Sequence, residues 1–206
     1  MPRVTDEHRA ARREQILRAA WRCVAREGFH RSTMAHVIAE SGLSAGAVYG
    51  YFKSKDELLN AIAERSIARI DEVFHEMLAG DAAPDPADVL ETVLDRLMAL
   101  AENPDGDFTL IAVQAWGEAA RGGPFRDLLE PQFKEIRGHW IEVARRWQAA
   151  GRLGEDAEPE QVGRVLLGLM PGFVLQRLML GGVTAPGYTN GLRALMSPST
   201  RAGAAG

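Results

Sequence analysis

Residues 31–59 read RSTMAHVIAESGLSAGAVYGYFKSKDELL, and this stretch decides the fold. Two short helices are expected, at 33–40 and 45–50, joined by a tight turn. Ser32 is placed to cap the first and Ser44 the second, because a hydroxyl just before a helix accepts from its unpaired amides. Val37 and Ile38 face inward, and Gly42 supplies the left-handed backbone of a sharp turn. Leu43 and Val48 are spaced as a hydrophobic staple across the start of the second helix. That second helix has an unusual outer face: Ala45, Gly46, Ala47 and Gly50, with Tyr49 and Tyr51. An ordinary surface helix carries Glu, Lys and Arg there. Small residues instead let the backbone approach another surface closely, and a tyrosine hydroxyl can donate to a phosphate oxygen while its ring packs on the sugar. A helix lying in a DNA major groove needs such a face.

Working outward, the pattern is helical almost throughout, with apolar residues recurring at spacings of three and four and no alternating β-branched run. Upstream, a helix is expected from Thr5 or Asp6 to Glu27, burying Ile16, Leu17, Ala20, Val24 and Ala25 and stopped by Gly28. Downstream, S-K-D-E at 54–57 is a capping box that opens a long helix to about residue 79, with Leu58, Leu59, Ile62, Ile67, Ile70, Phe74 and Met77 as its apolar members. Further helices are expected at 86–102, with Asp85 as cap and Pro86 in the first position, and at 107–121. The next, at 124–150, is expected to bend or break at Pro131. The last long one, from about Pro159 to residue 180, should kink at Pro171, and a short helix at 188–196 closes the chain. The terminal RAGAAG is expected to be disordered. The expectation is therefore an all-α protein of about nine helices.

Length and composition set further bounds. With 206 residues and 46% hydrophobic residues, the chain can bury a proper core. Residues 1–60 carry ten Lys/Arg against seven Asp/Glu, whereas the remainder carries 14 against 21. A basic head on an acidic body suits a nucleic-acid module steered in one orientation. Cys23 is the single cysteine, which excludes a disulfide framework and reads as a small buried residue. The longest apolar run, 165–175, contains Pro171 and falls short of the roughly 20 residues of a bilayer span. No apolar leader segment opens the sequence, so no membrane partner and a cytoplasmic location are expected.

The block 33–58 resembles the DNA-binding domain of the TetR/AcrR regulators, whose pattern is roughly T-x-x-x-I-A-x-x-A-G-V-S-x-G-x-x-Y-x-[HY]-F-x-x-K-x-x-L. Thr33, Val37, Gly42, Leu43, Ser44, Gly46, Tyr49, Tyr51, Phe52, Lys55 and Leu58 fall on it in register, and ILRAAWRCVAREGF at 16–29 resembles the preceding helix. Ile38 and Ser41 depart from it, standing where alanines are usual. The resemblance implies an N-terminal three-helix helix-turn-helix domain at 1–53 and a helical ligand-binding and dimerisation domain at 54–206. It implies that Thr33 and Ser44 contact phosphate, that Gly46 lies nearest the bases with Ala45 beside it, and that Tyr49 bridges backbone and base edge. Tyr51 and Lys55 should touch phosphate. Ala45 and Ala47 bring no side-chain hydrogen bonds to bases, so readout is expected to lean on Tyr49, thymine methyls, DNA shape and an N-terminal arm carrying Arg3, Arg9 or Arg12.

The same resemblance implies a homodimer on a double-stranded DNA operator, since paired half-sites are the usual target. The helices at 133–150 and 159–180 are the expected interface, with Phe133, Ile136, Trp140, Val143, Val162, Val165, Leu166, Leu169 and Phe173 as apolar members. Gly163, Gly168 and Gly172 are placed to allow close approach. A small hydrophobic or aromatic effector is expected among Phe74, Met77, Met98, Phe108, Gln114, Trp116, Glu118, Trp140, Met170 and Phe173, with Glu118 favouring a cationic one. The five histidines show no metal-ligand spacing, no catalytic set is found, and no cofactor is implied. The expected function is an effector-released repressor. Its rivals are a regulator of the same fold controlled by a protein partner and, more remotely, a helical ligand-binding protein or enzyme.

Overall fold

Nine α-helices and no strands make up the described residues of a computed structural model, 6–102 and 104–197, with the side chains of Ser66, Ile67 and Arg69 left aside. The expectations for Ile67, Arg3 and the terminal RAGAAG lie outside the described residues. The helices are α1 (Asp6–Arg31), α2 (Met34–Ser41), α3 (Ala45–Tyr51), α4 (Lys55–Leu78), α5 (Pro86–Ala101), α6 (Phe108–Ala120), α7 (Pro124–Ala149), α8 (Pro159–Met179) and α9 (Ala185–Met196).

Most boundaries follow from caps written in the sequence. Asp85 accepts from the Ala87 amide at 2.8 Å ahead of α5, and Asp107 from the Thr109 amide at 2.8 Å ahead of α6. Thr184 accepts from Gly187 at the start of α9, three residues earlier than periodicity alone suggested. The expected interruption at Pro131 is absent: α7 runs through it, and α8 runs through Pro171. Pro131 is exposed, as is Asp127 one turn back, so the carbonyl that loses its amide partner is free to meet water. At Gly28 the backbone does turn left-handed (φ 79°), yet a further helical turn follows to Arg31.

Contacts gather the chain into two compact units, one comprising Met1–Glu72 with Arg96–Ile136, the other Val73–Asp95 with Arg137–Gly206. In the first unit α1 is the spine. Ile16, Leu17, Ala20, Cys23 and Val24 meet Val37, Val48, Phe52, Leu58 and Ile62 in one buried cluster, with Ile111, Ala115 and Leu129 closing it from α6 and α7. Each fully buried aliphatic side chain contributes about 1.5–3 kcal/mol. The loop before α6 is pinned to α1: the Trp21 indole donates to the Gly106 carbonyl at 2.8 Å, and the Trp21 ring stacks on Phe108 at 5.5 Å. Gly106 (φ 133°) fits because a Cβ there would sit 2.5 Å from that of Ala25.

The second unit is built around Trp140, fully buried, edge-on to Phe74 at 5.0 Å and donating to the Met170 sulfur at 3.5 Å. Phe173 meets the Tyr188 ring edge-on at 5.4 Å. Gly163 lets α8 press on α7, since a Cβ there would lie 2.9 Å from the Ile141 amide nitrogen. The buried Thr189 hydroxyl donates to Glu91 at 2.7 Å, and Arg193 bridges Asp88 and Glu91, tying α9 to α5.

Candidate nucleic-acid interface

The helix-turn-helix is assembled from local chemistry. Thr33, in extended conformation, caps α2 by accepting from the His36 amide at 3.2 Å. This corrects the expectation for Ser32: that residue is 2% exposed and its hydroxyl donates instead to the Gly28 carbonyl at 2.8 Å, completing the turn that the left-handed glycine opens. Gly42 takes φ 67°, as the turn demands, and its amide bonds the Ala39 carbonyl. Ser44 caps α3 by accepting from the Ala47 amide at 3.2 Å. Both cap oxygens act as acceptors towards the backbone, which leaves each hydroxyl proton to be donated outward.

The expected contact residues divide by exposure. Ala45, Gly46 and Tyr49 are exposed, Tyr49 to 42%, and nothing lies within 4 Å of a Cβ built on Gly46. Val48 on the opposite face is fully buried, and Tyr51 is half-buried against the core cluster. A seven-residue helix thus has one side sunk in the unit and the other a smooth surface of small residues flanked by tyrosine. Thr33 and Ser44 are exposed at the starts of α2 and α3. Lys55 is half-buried, and its ammonium donates to the Phe29 carbonyl; in the free chain it therefore satisfies the end of α1. The capping box at Ser54 forms on one side as expected, with the Glu57 amide on the hydroxyl at 3.1 Å. The Glu57 carboxylate reaches one residue further back, to the Lys53 amide at 2.6 Å.

What fixes α2 against α1 was missed in the sequence. Arg22 bonds Glu40 at 2.7 Å and Asp105 at 2.7 Å, Arg26 reaches Glu40 at 3.2 Å and Glu27 at 2.9 Å, and Glu27 meets His36 at 2.7 Å. The signal was available in part, since Arg22 and Arg26 stand one turn apart on the same face of α1. Hydrogen bonds from Arg22 and then Arg26 hold the Glu40 carboxyl below its ordinary pKa. Because that folded pKa lies below the unfolded one, the contribution is complete above the usual carboxylate range and fades as pH falls through the folded value. Glu40→Gln is expected to lower the melting temperature at pH 7, with the gap from wild type closing below about pH 4. Melting curves across pH check this; a gap independent of pH would remove Glu40 from the account.

The residues expected around an effector fall into two groups. In the second unit Phe74, Trp140, Met170 and Phe173 are buried and Met77 half-buried. In the first, Met98 is half-buried, Phe108 stacks on Trp21, Gln114 sets its amide oxygen 2.9 Å from where Gly28 would carry a Cβ, and Trp116 stands edge-on to Phe133. Glu118 pairs with His30 at 3.0 Å and Arg121 at 2.7 Å, and the His30 hydrogen bond holds its carboxyl below the ordinary value. Cys23 is buried, and burial pushes its thiol pKa up.

The residues expected at a dimer face are mostly turned inward: Ile136, Trp140, Val143, Leu166 and Phe173 are buried within the monomer, and Gly163 serves α7–α8 packing. Phe133, Val162 and Leu169 are half-buried, and Val165 is turned outward, at 66% exposure. It belongs to a different stripe of α8 with Gly168, Leu175 and Met179.

Comparison with known proteins agrees with this geometry. Residues 16–62 match the family described as bacterial regulatory proteins, tetR family. An HTH-type transcriptional repressor of Mycobacterium tuberculosis is 32% identical over 187 residues, covering 88% of this chain and 89% of the relative. The repressor AcnR of Corynebacterium diphtheriae is 27% identical over 89% of this chain and 90% of its own. Among solved structures, GusR of Salmonella enterica superposes with a TM-score of 0.74 at 24% identity, covering 95% of this chain and 97% of that one. A regulator from Saccharomonospora viridis in complex with choline gives 0.72 at 21%, over 92% and 97%. The chain belongs to the TetR family of bacterial transcriptional regulators, which are DNA-binding proteins and not enzymes.

Proposed function

We propose that this protein is a repressor that binds a near-palindromic operator as a homodimer, acts in the cytoplasm and is released by a small hydrophobic or aromatic effector. The observation that carries the DNA reading is the bare outer face of α3, where Gly46 and Ala45 lie open between the exposed caps Thr33 and Ser44 and the exposed Tyr49. Thr33, Ser44 and Tyr51 offer hydroxyls to phosphates, Gly46 and Ala45 bring the backbone to the base edges, and Lys55 exchanges the Phe29 carbonyl for a phosphate. Residues 1–53 act as the reading domain and 54–206 as sensor and dimer scaffold.

Dimerisation is supported by α8. It is apolar enough and long enough to cross a bilayer, with a mean hydropathy of 1.3 over a stretch only 28% buried in the monomer. In a DNA-binding family that surface calls for a protein partner. Val165, Leu175, Met179 and Leu180 are exposed on and just after α8, and Leu195 on α9 is 86% exposed. The second copy is therefore placed on α8 and α9, while the apolar members of α7 serve the monomer core. Val165→Glu with Met179→Glu is expected to convert a dimer into a monomer in sedimentation, and to weaken operator binding by about tenfold or more. A dimer unchanged in the double variant would move the interface elsewhere.

The effector is placed in the body, with Phe74, Met77, Trp140, Met170 and Phe173 as candidates in the second unit and Met98, Phe108, Gln114, Trp116 and Glu118 as candidates in the first. That a regulator of this fold was captured with choline supports a small-molecule input. Such a ligand releases DNA by binding the off-operator conformation more tightly, with α4 as the element that transmits the change. The experiment that tests the reading is selection of bound duplexes from a random pool at stated salt, with Tyr49→Ala as control. A palindrome with half-sites one or more helical turns apart is expected, enriched by wild type and reduced by about tenfold or more with the variant. No enrichment at low salt would overturn it.

A further inference from the structure

In the second unit the last turns of α4 meet α7, and two imidazoles come together there. His75 of α4 and His139 of α7 stand edge to face, with ring centroids 5.5 Å apart and planes at 69°. One turn before His75 on the same continuous helix is Asp71. A ligand atom from each of the three lies within 4.8 Å of the others. The histidines show no metal-ligand spacing in the sequence because only Asp71 and His75 share a helix, and the third donor comes from α7.

One donor is fixed by packing and the others are free to adjust. The His139 ring stacks on Phe74 at 4.9 Å with 12° between the planes, and the fully buried Phe74 is itself held edge-on by Trp140 at 5.0 Å. His75 is exposed, and Asp71 and His139 are half-buried, so an ion can reach all three from solvent. Two imidazoles sharing one tetrahedral ion, at bond lengths of about 2.0–2.1 Å, have centroids about 5 Å apart and ligand atoms about 3.4 Å apart. The two rings stand close to that arrangement, and rotation of the exposed His75 closes the remaining distance.

We propose that Asp71, His75 and His139 form a binding site for a divalent transition-metal ion of the zinc class. Two imidazole nitrogens and one carboxylate oxygen suit zinc and its late first-row neighbours. Magnesium and calcium take oxygen ligands and need six or more of them. Three protein ligands leave one position for water or an exchangeable ligand, which fits an ion that comes and goes better than one that holds the fold. The bound ion ties α4 to α7. Since α4 is the helix through which a body effector acts, metal occupancy is a second input to operator affinity. That consequence rests on the operator reading; the binding itself does not.

The test is calorimetric titration of the untagged, chelator-stripped full chain with zinc chloride, without DNA. Wild type is expected to bind one ion per chain saturably, and magnesium in about thousandfold excess is expected not to displace it. His75→Gln and Asp71→Asn are each expected to lose about a hundredfold or more in affinity, since removing a group that merely orients a ligand already costs about ten- to a hundredfold. His8→Gln, exposed on α1, is expected to lose nothing. Cobalt(II) in place of zinc is expected to give wild type the strong visible absorption of a low-coordinate ion, and His75→Gln the weak spectrum of the hydrated ion. The exposed His75 carries the test alone if Asp71→Asn fails to fold. On the selected duplex, zinc is expected to change wild-type affinity about fivefold or more and that of His75→Gln not at all; an equal response in both would remove the coupling to DNA. Absence of saturable zinc binding, displacement by magnesium, or unchanged zinc affinity in His75→Gln would overturn the site. Because the titration contains no DNA, that failure is distinct from a failure of the operator reading.

Discussion

Gly46→Glu is expected to abolish operator binding while leaving the fold intact. The position is exposed and a Cβ there meets nothing within 4 Å, so the folded chain accepts the longer side chain. On DNA the same carboxylate lands between base edges and phosphates, where like charge and lost approach together cost about 2 kcal/mol at a half-site. A dimer presents the substitution twice, and about 4 kcal/mol is roughly a thousandfold in affinity. Fluorescence anisotropy with the selected duplex measures it, and a circular dichroism melt identical to wild type shows that the loss is not unfolding. A variant that still binds within about tenfold of wild type would move the reading surface away from α3.

Gly106→Val has its effect on stability. The backbone at φ 133° is one that side-chain-bearing residues rarely adopt, and the new Cβ would sit 2.5 Å from that of Ala25. The loop has to move, which takes the Gly106 carbonyl from the Trp21 indole and Asp105 from Arg22. Strain and overpacking together cost about 3–5 kcal/mol. For a chain of this size that is a fall of about 10 °C in melting temperature. Gly117→Ala, on an open helical position, is the control and should be neutral or slightly stabilising. A Gly106→Val protein melting within about 2 °C of wild type would show that this anchor does not hold the loop.

The features legible in the sequence are those with local causes. Ser44, Gly42, Asp85 and the Ser54 hydroxyl announce helix ends because capping involves residues only a few positions apart in the chain. The smooth face of α3 was legible for the same reason: a missing side chain is visible without knowing what lies opposite. Ser32 and Thr33 are both competent caps, and the choice was made by a distant fact, the burial of Ser32 under the broken end of α1. Periodicity marks Trp140, Val143 and Phe173 as apolar but not whether their cover is the same chain or another. Their partners, Phe74 and Met170 for Trp140 and Tyr188 for Phe173, lie far along the sequence. The Arg22–Asp105 pair spans 83 positions and is invisible to any reading by spacing.

The uncovered stripe of α8 has a consequence for inheritance. If chains pair through this surface, as proposed above, nothing in Val165, Leu175 or Met179 distinguishes one copy from another. A cell carrying a normal copy and a Gly46→Glu copy in equal amounts would then assemble about three-quarters of its pairs with at least one blind half. On that proposed interface the defective allele is expected to be dominant over the functional one, and adding the α8 substitutions to the same allele is expected to make it recessive again.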